Sequence, residues 1–273
     1  MTQCSTGARL TLCAALLLRL LVSVPLAAQT TDELATYAAL VGTPQGGLPP
    51  LMTHTISGAA QRTPQFAMRY GYVSNVLSPF QEKFMDPQDG RPQRSLNQYA
   101  ATVLLPLGLG STVSFSAGGV SMHCDACHTY LTVSGAGDYR FFERGFGAAQ
   151  DGSRVTFGVN GELAYGRAKA GGLLSGDVVT GTVGAPVGVI VRTGGTTGMR
   201  IVSFLTPALG FANVGGAEGA GGTPASSGTR FMLGGGVGVF NPESNIQVSI
   251  GLQQVFINSA DTQIGLSISL GGR

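Results

Sequence analysis

The residues best equipped for chemistry stand together at His123-Cys124-Asp125-Ala126-Cys127-His128. Two thiols three positions apart, followed at once by histidine, have the spacing of c-type haem attachment. The same six residues offer nitrogen and sulfur ligands of the kinds that hold zinc. They also offer a disulfide, because the first and fourth residues of a β-turn bring their Cα atoms within about 7 Å, inside the span of such a bond. Haem requires a second axial ligand and a packed shell around the macrocycle. Yet Thr129 onwards has a strand pattern, and Met199 and Met232 belong to other strands. Neighbours on one tight turn converge poorly on a tetrahedral metal. The expectation for Cys124 and Cys127 is therefore a disulfide or a plain turn, the disulfide being worth about 2 kcal/mol at most in so small a loop. No cofactor and no metal is assigned.

Ser121, His123, Asp125 and His128 would be the raw material of a hydrolase. Residues two or four apart on one hairpin tip do not take the geometry of a nucleophile, base and orienting acid without help from elsewhere. No enzyme is expected. His54 lies among Gly and Pro with no ligand type nearby and reads as a solvated loop residue. Gly234 and Gly236 could open a dinucleotide loop, but Val239 stands where its third glycine belongs and no helix follows.

These residues must be positioned by an unusual chain. Charged residues make up 11% of it, against roughly 25% in ordinary soluble domains. The 43 glycines show no triplet period, and a net charge of +2 gives no reason to expect nucleic acid as a partner. Residues 1–28 have Arg9, an apolar run and small residues at Ala27 and Ala28, the plan of a secretory signal peptide. Cys4 and Cys13 fall inside it, so export would leave Cys124 and Cys127 as the mature thiols, in a compartment where disulfides persist.

In residues 29–63, Thr30 and Glu33 form a capping pair ahead of Leu34, Tyr37, Ala38 and Val41 at helical spacing, then a Gly- and Pro-rich linker follows. From residue 64 to 273 the period switches to two. Ile264, Leu266, Ile268 and Leu270 alternate with Gln263, Gly265, Ser267 and Ser269, and Ile246, Val248, Ile250 and Leu252 alternate with polar or small residues. Val155, Phe157, Val159, Leu163 and Tyr165 repeat the pattern. Each strand thus has one face that wants an apolar surrounding and one that does not. Ten strands are expected near 65–75, 97–107, 111–121, 129–142, 154–166, 178–191, 199–212, 229–240, 245–257 and 262–270. With no crossover helix between them, they must run antiparallel.

Taken up and down, the strands place longer connections on one side and shorter ones on the other, with 143–153 longer than its side prefers. Tyr99, Tyr130, Tyr165, Phe211, Phe231 and Phe256 then fall at one end, and Phe66, Tyr139 and Phe141 at the other, as two aromatic belts at two interfaces.

On this pattern the region 64–270 resembles the small, porin-like outer-membrane β-barrel proteins of bacteria. The resemblance implies an all-β fold: a closed antiparallel up-and-down transmembrane barrel of about ten strands, preceded by the short helix. It implies outer-membrane lipid and the barrel-assembly machinery as partners, and a small solute or surface ligand of unknown identity. The chain departs from the family by ending Leu270-Gly271-Gly272-Arg273 rather than in an aromatic residue.

By alternation Arg69, Asp138, Arg140 and Glu162 point inward, as a selectivity constriction or, preferably, as a salt-bridged plug, since unpaired charges in a narrow interior are costly. Two other architectures of function stay open: a barrel that binds partners through its long loops, and a soluble exported β-sandwich. The sandwich would set its second faces in water, where Gln, Lys and Glu are expected and are scarce.

Overall fold

Contacts divide the chain into Met1–Thr30 and Thr31–Arg273. The computed structural model describes, all within the second unit, residues 64–74, 95–108, 110–122, 129–146, 153–168, 176–193, 198–215, 226–241, 243–244, 246–256 and 262–271. The expected signal peptide, the helix and linker of 29–63, and Cys124 and Cys127 with their flanking histidines lie outside the described residues.

Where the sequence alternates, the chain is extended: β1 (Gln65–Ser74), β2 (Ser95–Gly108), β3 (Ser111–Met122), β4 (Tyr130–Phe146), β5 (Ser153–Ala168), β6 (Gly176–Gly184), β7 (Val187–Arg192), β8 (Arg200–Val214), β9 (Ser226–Asn241), β10 (Ile246–Val255) and β11 (Thr262–Gly271). Every pairing is antiparallel. β1 joins β2, β2 joins β3, β3 joins β4 and β4 joins β5. β5 meets both β6 and β7, and both of these meet β8. β8 continues to β9, β9 to β10, β10 to β11, and β11 back to β1.

β6 and β7 share one place in the sheet, so eleven segments make ten strand positions, an up-and-down arrangement of the expected kind. The break falls at Ala185-Pro186, because proline has no N–H to give to a ladder. The backbone is carried across the gap: Gly158 N–H donates to the Pro186 carbonyl (3.0 Å) and Ala185 N–H to the Pro207 carbonyl (2.9 Å).

The tightest reversal joins β2 to β3. Gly108 and Gly110 both take positive φ there, 87° and 80°, where any side chain would be strained. The Gly110 carbonyl accepts a 2.9 Å hydrogen bond from Arg140 N–H, which ties the turn to β4.

The two faces of the sheet are inverted relative to a water-soluble protein. The buried face carries Gln65, Arg69, Gln98, Thr102, Ser114, Ser116, Thr132, Ser134, Thr156, Thr180, Thr206 and Gln247. The exposed face carries Phe66, Met68 (73% exposed), Phe115, Leu131 (76%), Val159, Leu163, Leu205, Val248 and Ile250. Of the expected aromatic belts, Tyr99, Tyr165, Phe211, Phe256, Phe66, Tyr139 and Phe141 are exposed, and Phe231 packs on Phe256 with ring centroids 5.3 Å apart. Tyr130 is a correction. It is 5% exposed and belongs to the buried face, since it keeps the parity of Thr132 and Ser134 on β4.

The buried face is also less uniformly small than alternation suggests. Ile190, Val202, Phe204 and Phe240 form an apolar cluster on β7, β8 and β9.

A charged belt as candidate functional site

Arg69, Asp138, Arg140 and Glu162, the four charges that alternation sets on one face, are each at most 8% exposed. Ladder register puts three of them on the neighbouring strands β4 and β5, while Arg69 stands on β1, three strand positions from β4. On β4, Asp138 and Arg140 share the buried face two residues apart, and the Arg140 charge bears on the Asp138 carboxylate. Asp138 stands opposite Asn160 and Ala136 opposite Glu162, so the two carboxylates are diagonal neighbours across β4 and β5. Arg69 reaches them from β1: the carboxylate of Glu162 acts on its guanidinium. The two carboxylates are thus flanked by opposite charge, Arg140 beside Asp138 and Arg69 facing Glu162, which offsets their mutual repulsion.

The belt is longer than the sequence showed. Arg140 Nη1 lies 2.9 Å from Glu143 Oε2, and Arg154 Nη1 bonds Glu143 Oε1, so one carboxylate joins β4 to β5 through two arginines. Glu143 was expected in a connection, with β4 ending at 142. Instead β4 runs on to Phe146, and a bulge between Arg140 and Phe142 adds one residue to its side of the ladder. An extra residue shifts the parity of everything after it. Phe141 and Phe142 are therefore both exposed, and Glu143 stands opposite buried Thr156. Two adjacent aromatics were the available signal, since strict alternation cannot place both outside.

Beyond the belt, uncharged polar side chains line the same face. Thr102 and Ser116 hydroxyl oxygens are 2.8 Å apart. The Gln98 amide, fully buried, and both carboxylate oxygens of Asp138 have no hydrogen-bond partner among the described residues. At the opposite end of β5, Tyr165 Oη donates to Asp177 Oδ1 (2.9 Å) and Arg167 lies 3.7 Å from the same oxygen, all on the exposed side. Nothing in the described residues converges into a set of nucleophile, base and oxyanion donors.

No protein-family model and no curated protein matches the chain in sequence. Solved β-barrel structures resemble it. The translocator domain of the autotransporter NalP from Neisseria meningitidis is similar at 10% identity and a TM-score of 0.45, over 83% of this chain and 92% of that one. The N-terminal β-barrel domain of Pseudomonas aeruginosa OprF is similar at 10% identity and 0.33, over 77% and 98%. LpxR from Salmonella typhimurium is similar at 9% identity and 0.35, over 76% and 99%. Each of these TM-scores is below 0.5, and none of the likenesses decides what this chain does.

Proposed function

We propose that this chain is an integral β-barrel of the bacterial outer membrane, its ten strand positions closing through the β1 to β11 ladder, and that it is a structural barrel rather than a wide solute pore. The inversion of the two faces carries the reading. Large apolar side chains such as Met68, Leu131, Leu163 and Ile250 are exposed around the sheet while Gln98, Thr156 and the charged belt are buried. Water on the first set would cost roughly 25 cal/mol per Å² of apolar surface, and hydrocarbon removes that cost. A sheet in hydrocarbon can leave no backbone edge bare, and each strand here has a bonded partner on both sides.

An interior of eight to ten strands is about wide enough for side chains to fill. Here it holds the charged belt and the cluster of Ile190, Val202, Phe204 and Phe240, which supports a plug over an open channel. No catalytic role is part of this reading.

Membrane fractionation together with gel mobility before and after boiling tests the location. A band that shifts on boiling and partitions with outer membranes is expected, and an unshifted band in the soluble periplasm would sink the proposal. Planar-bilayer recording tests the plug, with a flat trace expected on repeated insertion and steps of porin size counting against it.

A further inference from the structure

The charged belt keeps to one side of β4 and β5, and Arg144 stands on the other. After the bulge, Phe142, Arg144 and Phe146 share the side of Phe157, while Glu143 stands opposite buried Thr156. Arg144 is exposed and faces Val155, which in turn faces Val189. An arginine thus breaks a row of valines on the apolar side of the sheet.

Its surroundings are aromatic. Phe142, Phe146 and Phe157 are all exposed, and the first two flank Arg144 on its own side of β4. Among the described residues no carboxylate pairs with it, and the nearest in sequence, Glu143, is held by Arg140 and Arg154 across the sheet. Arg167 gives the contrast, since it stands exposed at the far end of β5 with Asp177 opposite and 3.7 Å away. Depth is a second observation. Tyr139 faces Ser111, the first residue of β3, so β4 carries Arg144 past the end of its neighbour, at the end where β2 turns tightly into β3. In a membrane, a cation beside aromatic rings at that level meets headgroups.

We propose that Arg144, framed by Phe142, Phe146 and Phe157, docks the phosphate of an anionic glycerophospholipid. This rests on the membrane reading and gives that barrel a lipid partner at a defined place. The planar guanidinium forks onto two phosphate oxygens, a geometry that an ammonium cannot offer. The rings cover the glycerol and the first methylenes of the acyl chains, which a soluble phosphate lacks. Charge selects the headgroup: among the described residues at this end of the hairpin, Arg140, Arg144 and Arg154 face a single carboxylate, Glu143, which favours an anionic lipid over a zwitterionic one.

The test is the melting temperature of the full chain in neutral detergent, titrated at matched ionic strength with dihexanoyl phosphatidylglycerol, dihexanoyl phosphatidylcholine or glycerol phosphate. A saturable rise with phosphatidylglycerol is expected, weakened about tenfold in Arg144→Gln, the loss of one charged hydrogen bond. Arg144→Lys and Phe146→Ala should lose less, and Arg167→Gln nothing. If Arg144→Gln does not fold, Arg144→Lys and the parent's preference for phosphatidylglycerol carry the comparison. An equal rise with phosphatidylcholine or glycerol phosphate, or an equal response in Arg144→Gln, overturns the site. So does a response that appears only in Asp151→Asn, which would give Arg144 the acid of the adjoining connection as its partner. Flotation of the same samples with phosphatidylcholine vesicles separates the two readings. A chain that floats without lipid preference loses the site alone, and one that does not float loses the membrane location as well.

Discussion

The Phe142 and Phe157 rings meet edge to face, with centroids 5.4 Å apart and planes at 67°, at the ladder step where β4 carries one residue more than β5. This contact lies on the apolar side of the bulge, while Glu143, itself exposed, stands on the other side with Arg140 and Arg154. The bulge thus sets which side of the sheet the carboxylate takes.

Phe141 is the extra residue of the bulge, so deleting it leaves a regular ladder with Phe142 still opposite Phe157 and Glu143 still opposite Thr156. That deletion is expected to keep the heat-modifiable band, while deleting both Phe141 and Phe142, which puts Glu143 on the outward step after Arg140 and reverses the rest of β4, is expected to abolish it. A normal band from the double deletion would mean that the residue count after Arg140 does not govern the face of Glu143.

Leu163 is exposed on β5 between the belt levels of Tyr139 and Tyr165, opposite Gly135. In hydrocarbon, Leu163→Arg is expected to cost about 2–4 kcal/mol, as charges do toward the midplane of membrane barrels. Reversible urea unfolding in lipid bilayers measures it. A cost under about 0.5 kcal/mol, normal for a surface site in water, would speak for water on that face.

Breaking the belt on one side should cost more than removing a pair. Glu162→Gln leaves the buried Arg69 without the carboxylate that acts on it, an expected loss of about 3–5 kcal/mol. Adding Arg69→Gln should recover part of it. A double-mutant cycle on unfolding free energies gives the coupling, and strict additivity would show that the two side chains do not act on each other.

Gly118 packs against β2 so closely that a Cβ would lie 2.0 Å from the Tyr99 carbonyl oxygen, a backbone atom that cannot swing away. Gly118→Ala is expected to destabilise by about 1–3 kcal/mol through overpacking. At Gly137 a Cβ would meet nothing closer than 3.9 Å. Gly137→Ala should therefore be nearly neutral, and equal losses at both positions would refute the steric account.

Much of this architecture was legible in the residues alone. A period of two needs no distant partner to be seen, because successive side chains on a strand must point to opposite faces. Hence the antiparallel strands, the exposure of Phe157, Val159 and Val248, and the burial of Arg69, Asp138, Arg140 and Glu162 followed from local order. The interruption at Pro186 and the bulge after Arg140 were less visible, because they are settled by what the neighbouring strands accept. Tyr130, with a ring suited to an interface, shows that parity outranks preference.

Only the tertiary pairing brought Arg192 opposite Arg200 and joined Glu143 to Arg154. Register between strands depends on the lengths of connections and on single added residues, and neither is written in the alternation of any one strand. Periodicity decides which way a side chain faces, and pairing decides whom it meets.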